Sequence, residues 1–125
     1  MSRADFYPVA ARTTFPITLV LVLLLALLPG RILEMFGFGF TFSHDKLNHA
    51  FAFAVLVLLG CLGWPGQKVR LVVFLLALGG AIEVLQGTQL AARDMDLLDW
   101  IADCAGVMCG LIIAAWTKSI ADRLD

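Results

Sequence analysis

Four apolar runs dominate the chain, at residues 15–33, 47–64, 69–87 and 97–116. Each approaches the ~20 residues that a helix needs to cross a hydrocarbon core of ~30 Å. A backbone in lipid must satisfy its own N–H and C=O groups, which a helix does within a single segment. The runs fill most of the 125 residues, and the 61% hydrophobic content and mean hydropathy of +0.92 follow from them. The expectation is an all-α, single-domain bundle of four transmembrane helices over residues 1–125. Residues 1–14 are polar enough to lie outside the bilayer. The first run reaches Leu33 only if Arg31 snorkels to the surface. It is short and is followed by Pro29-Gly30, as in a signal peptide, but no A-x-A site is visible, so a retained span is expected.

The connections are marked by local chemistry. Gly63-Trp64-Pro65-Gly66 is a strong turn signal between the second and third spans. Phe36 to Phe42 alternates aromatic residues with glycine, which fits an interfacial loop between the first two spans better than a strand. Trp64, Trp100 and Trp116 fall near span ends, where amphipathic rings gather. Four spans put both termini on one side, with Arg3, Arg12, Lys68, Arg70, Lys118 and Arg123. Arg31, Lys46 and Arg93 lie on the other. The positive-inside rule then places both termini in the cytoplasm. A net charge of -1 with no basic run excludes the concentrated positive face of a nucleic-acid binder. Cys61, Cys104 and Cys109 lack C-x-x-C spacing and read as small buried side chains.

Within the fourth run, residues 93–110 carry a feature that lipid does not explain. Asp96, Asp99, Asp103, Gly106 and Gly110 follow one another at steps of three and four, so they share one helical stripe about 80° wide. The glycines allow a second backbone to come close, and the carboxylates are expected to face protein or water. Gly106 and Gly110 therefore suggest a helix–helix partner.

The start of the second span, the end of the third and the start of the fourth meet at the outer face, and most of the unusual polar residues are there. Asp45 and His49 lie one turn apart, Lys46 is beside them, and Glu83 and Gln86 share a face of the third span. Asp45 and Asp96 each have two readings, as an N-cap or as a site residue. Glu83 is harder to place, because it nears the negative end of its helix dipole and needs a partner, from Arg93, Lys46 or His49, or a proton. Asp103 lies roughly 10 Å beyond Asp96, where an aspartate costs about 2.5–3.5 kcal/mol on insertion scales. Either an architectural ion pair or a working pocket accounts for both. For the pocket, His49, Asp45, Glu83 and Asp99 are the candidate catalytic residues; an imidazole among these acids and Asp103 is equipped for proton transfer or for holding a hard divalent cation. Lys46, Gln86, Arg93 and Asp103 are the candidate substrate-binding residues. Lys46 and Arg93 could attract a phosphate or carboxylate, or could pair with nearby aspartates. No zinc signature such as H-E-x-x-H is present, so neither a metal nor another cofactor is expected.

Asp45-Lys46-x-x-His49-x-x-x-Phe53, Glu83-x-x-Gln86, Arg93, Asp99, Gly106 and Gly110 together resemble the VanZ-like membrane protein family, over about half of the chain. In this likeness the shared polar set is Asp45, Lys46, His49, Glu83, Gln86, Arg93 and Asp99. Asp103 departs from it, standing where the pattern D-x-x-x-N-x-x-G has asparagine, and so adds a carboxylate. The resemblance implies a small multi-pass protein of the bacterial inner membrane. For the member that names the family it also implies a part in resistance to the glycopeptide teicoplanin. It implies no particular reaction.

Three functions compete. The first is an outward-facing enzyme or binding site for an envelope lipid or peptidoglycan precursor. The second is a proton-coupled carrier of an amphipathic envelope molecule, disfavoured because the cytoplasmic halves lack matching polar residues. The third is a structural or assembly partner of another membrane protein, docked through Gly106 and Gly110.

Overall fold

The computed structural model describes residues 2–37, 45–88 and 96–125, with the side chains of residues 3, 4 and 45 left aside. It is all-α: α1 spans Arg3–Leu27, α2 Gly30–Met35, α3 Asp45–Gly63, α4 Lys68–Gln86 and α5 Leu97–Leu124. No strand occurs among the described residues. α1, α3, α4 and α5 are each long and apolar enough to cross a membrane. The polar and apolar residues are distributed as in a membrane protein. Ile17, Leu21, Leu24, Val73, Met108 and Ile112 are exposed on outer faces, while Glu83, Gln86, Asp99 and Asp103 are buried. In water that arrangement would leave large apolar surfaces unpaired, whereas in lipid it is the natural one.

The helix boundaries refine the expectation at three places. α1 begins at Arg3, because Ser2 and Asp5 form a capping box in which each side chain accepts from the other's backbone N–H. Residues 3–14 are thus helical and join the bundle, with Ala11 buried. α1 ends at Leu27, ahead of Pro29, so Ile32 and Leu33 belong to the separate short helix α2. α5 runs on past Trp116 to Leu124. Its 28 residues reach about 42 Å, so its charged last turns extend beyond a ~30 Å core. Of the loop expected at residues 36–42, only Phe36 and Gly37 are described, and the rest lies outside the described residues.

Successive long helices run antiparallel. Ala26, His49, Glu83, Gln86 and Asp103 meet at one end of the bundle, and Arg12 meets Gly63 at the other. α5 packs most extensively on α3. Glycine makes this possible, since a Cβ at Gly106 would fall on the Ala50 carbonyl and one at Gly110 on Val57. Between helices in lipid there is little hydrophobic drive, and close backbone approach gives dispersion contacts in its place. The stripe on α5 is therefore filled by α3 of the same chain. This corrects the expectation that Gly106 and Gly110 await an external helix, because both are buried. The apolar core beneath is Phe15, Phe53, Leu56, Val57, Leu75, Ile82 and Val107, with Cys61 at its edge.

Candidate functional site

The polar residues at one end of the bundle form two layers. The outer layer is built on the start of α5. Asp96 caps this helix, its Oδ1 accepting from Leu98 N–H at 2.9 Å. Its Oδ2 accepts from Lys46 Nζ at 3.2 Å, and Lys46 also lies 3.7 Å from Asp99 Oδ1. The Asp96 carboxyl is held below the usual carboxylate range, first by the Leu98 N–H and then by the Lys46 ammonium. Lys46 and Asp96 are substantially exposed, while Asp99 is buried. Of the two readings for Asp96, the cap is the one realised.

The inner layer draws one side chain from each of three helices. His49 of α3 places Nδ1 2.8 Å from Asp103 Oδ1 of α5 and 3.9 Å from Glu83 Oε1 of α4. Glu83 is 4% exposed and Asp103 is fully buried. One oxygen of each acid, Glu83 Oε1 and Asp103 Oδ2, is buried with no hydrogen-bond partner among the described residues. A backbone bond links the two layers, Asp96 N–H to Glu83 Oε2 at 3.2 Å.

That bond resolves the problem Glu83 posed. Its carboxylate lies near the negative end of its own helix, but it faces the positive end of α5, whose first N–H groups have no intrahelical partners. His49, foreseen as a partner, contributes as well. The backbone donor was not foreseen, because only the fold brings residue 96 to residue 83.

A glycine pair on α4 admits α5 at this level. A Cβ at Gly79 would come within 2.7 Å of Asp103 Oδ2 and 3.3 Å of Trp100 Cδ1, and one at Gly80 would lie 3.6 Å from Trp100 Nε1. Through this notch the half-buried Trp100 donates its indole N–H to the Leu76 carbonyl at 3.0 Å. Trp100 thus ties α5 to the middle of α4, a role its position near a span end did not suggest. The adjacent glycines in the third run were the one available signal.

Gln86 is placed elsewhere than expected. It is buried, and its Nε2 donates to the Ala26 carbonyl at 2.8 Å, fastening the end of α4 to the end of α1. Its amide N–H is thus engaged in helix packing. Phe53, on the His49 face, is a core residue. Arg93 lies outside the described residues, as does the side chain of Asp45, although Asp45 begins α3. Cys61, Cys104 and Cys109 form no disulfide. His49, Glu83 and Asp103 are thus gathered, and Asp99 and Lys46 adjoin them from the outer layer.

Such an arrangement has limited chemical uses. An imidazole between two carboxylates can exchange a proton with either, or the three can together present donor atoms to a cation. Comparison with protein-family models, with characterised proteins and with solved structures gives no match for this chain.

Proposed function

We propose that this multi-pass membrane protein belongs to the bacterial inner membrane, with both termini cytoplasmic, and uses its polar end to bind and act on a cell-envelope component. The component carries phosphate or carboxylate, as an envelope lipid or a peptidoglycan precursor does. The positive-inside distribution of Lys and Arg supports an outward-facing site. The likeness of Asp45-Lys46-x-x-His49, Glu83-x-x-Gln86 and Asp99 to the VanZ-like pattern supports the envelope as the setting, with glycopeptide resistance as one associated phenotype.

The observation that carries the reading is the His49 imidazole, 2.8 Å from Asp103 and 3.9 Å from Glu83 inside an otherwise apolar bundle. Ionisable groups at such depth are costly and are kept for work. Lys46, exposed at the rim, supplies the first attraction for an anion. The docking-partner alternative loses its surface, because α3 occupies the glycine stripe. The carrier alternative finds no second cluster of buried acids at the opposite end among the described residues.

The test is His49→Ala in the native host, scored for growth under teicoplanin and other envelope stress and for abundance in the membrane. Loss of the phenotype at normal abundance is expected. Loss of both together would make His49 a packing residue and remove the basis for the proposal.

A further inference from the structure

We propose that His49 Nδ1, one oxygen of Glu83 and one of Asp103 bind a single divalent transition-metal ion. These three donors all lie within 4.8 Å of one another. A tetrahedral ion with ligands at about 2.0–2.1 Å separates neighbouring donors by about 3.4 Å. The distances from His49 to Asp103, 2.8 Å, and to Glu83, 3.9 Å, fall on either side of that figure. Small side-chain shifts therefore suffice to close the shell. The ligands come from α3, α4 and α5, which is why no sequence spacing announces them.

A second observation, independent of the clustering, points to the same ligand. Glu83 Oε1 and Asp103 Oδ2 are buried acceptors that no described donor satisfies, on side chains that are 4% and 0% exposed. Buried acceptors of this kind call for a proton, a hydrogen-bond donor or a cation. Lys46 does not serve them, since its ammonium goes to Asp96 and Asp99 in the outer layer. Gly79 leaves room at Asp103, where a side chain would crowd Oδ2.

The donor set narrows the ion. Magnesium and calcium favour all-oxygen shells, magnesium retaining several waters, whereas an imidazole with two carboxylates suits zinc, manganese or ferrous iron. Three protein ligands leave at least one coordination position for water or substrate. What the ion does rests on the function proposed above, although whether it binds does not. Glu83, Asp99 and Asp103 would by themselves repel a phosphate or carboxylate; a divalent ion reverses the local sign and offers the anion a ligand position.

The experiment uses the full chain without a histidine tag, purified in detergent, stripped with chelator and titrated with Co2+. The wild type is expected to develop a visible ligand-field absorption saturating at about one ion per chain, displaced by Zn2+. His49→Ala, Glu83→Gln and Asp103→Asn, each checked for unchanged helicity, are expected to weaken binding by about 100-fold or more. Arg12→Ala, at the opposite end of the bundle, is expected to leave it intact. A folded wild type that takes up no Co2+, or three ligand variants that titrate like the wild type, would overturn the site. A site that binds Co2+ while His49→Ala keeps the envelope phenotype would leave the metal inference standing and remove the functional one.

Discussion

The two ends of α3 handle polarity in opposite ways. At the C-terminal end, Arg12 Nε donates to the Gly63 carbonyl at 2.7 Å, its guanidinium lies 6.0 Å from the centre of the Trp64 ring, and Trp64 meets Phe15 edge-on at 5.6 Å. A cation at a helix C-terminus, bonded to a terminal carbonyl and stacked on an aromatic face, is matched on each count. At the N-terminal end, His49 sits between two acids, each keeping an oxygen that no described donor satisfies. Both ends engage charged groups, Arg12 at an exposed rim and the two acids in the interior. The mismatch at one of them is what distinguishes a site from a clamp.

The harshest challenge to this contrast is a change that should unmake both ends together. Gly106→Leu places a side chain where the Ala50 backbone already lies, and the forced separation of α3 from α5 should cost about 3 kcal/mol or more. Denaturation in detergent, followed by circular dichroism, is expected to show an early transition and little protein in the membrane. Gly66→Ala, which meets nothing within 4 Å, is the control and should behave as the wild type. If Gly106→Leu were equally stable, the close packing that assembles the inner layer would be in error.

A sharper contrast comes from removing one polar group at each end. Arg12→Ala loses a charge-assisted bond in a partly exposed setting and should cost about 1 kcal/mol. Glu83→Gln keeps an acceptor for Asp96 N–H and removes one buried charge, so stability should stay the same or rise by about 1 kcal/mol. The same denaturation curves give both values, and the prediction is that only Arg12→Ala lowers stability. Should Glu83→Gln prove the more damaging, its carboxylate is part of the architecture, as Arg12 is. Trp100→Phe probes a purely structural tie beside the site. Losing the bond to Leu76 should lower stability by about 1 kcal/mol while Co2+ affinity is kept.

Hydropathy revealed the four long helices and the end at which they gather their polar residues, because lipid leaves the backbone so few choices. The stripe on α5 was visible from its three-and-four spacing, yet its partner was not, since the pattern says that a backbone approaches without saying which. Gln86 and Glu83 show the same limit. Glu83 was recognisable as a residue needing a partner and Gln86 as a substrate-binding candidate, and each meets a backbone group brought to it by the fold, at Asp96 and Ala26. Every residue has a backbone donor or acceptor, so sequence gives no sign of which will be used. The polarity of residues 1–14 pointed only to a place outside the bilayer, whereas the Ser2–Asp5 capping box starts α1 there.

The smallest effect expected is a pH response confined to the outer layer. Asp96 has a lowered pKa because its ionised form accepts from Leu98 N–H and faces Lys46. The unfolded carboxyl titrates near about 3.9, so the stabilisation is fully present above that pH and is lost as pH falls through the lower, folded value. Asp99, also 3.7 Å from Lys46, and Glu83, which accepts from Asp96 N–H, face the same cluster. The informative quantity is therefore a difference between proteins. Asp96→Asn keeps a capping oxygen for Leu98 but cannot ionise, so amide exchange at Leu97 to Asp99 should accelerate in acid for the wild type and change less for the variant. Equal acid sensitivity would shift the response to the inner acids. The outer layer would then no longer be a separate, solvent-screened cap, and Lys46 would need to be counted with the site beneath it.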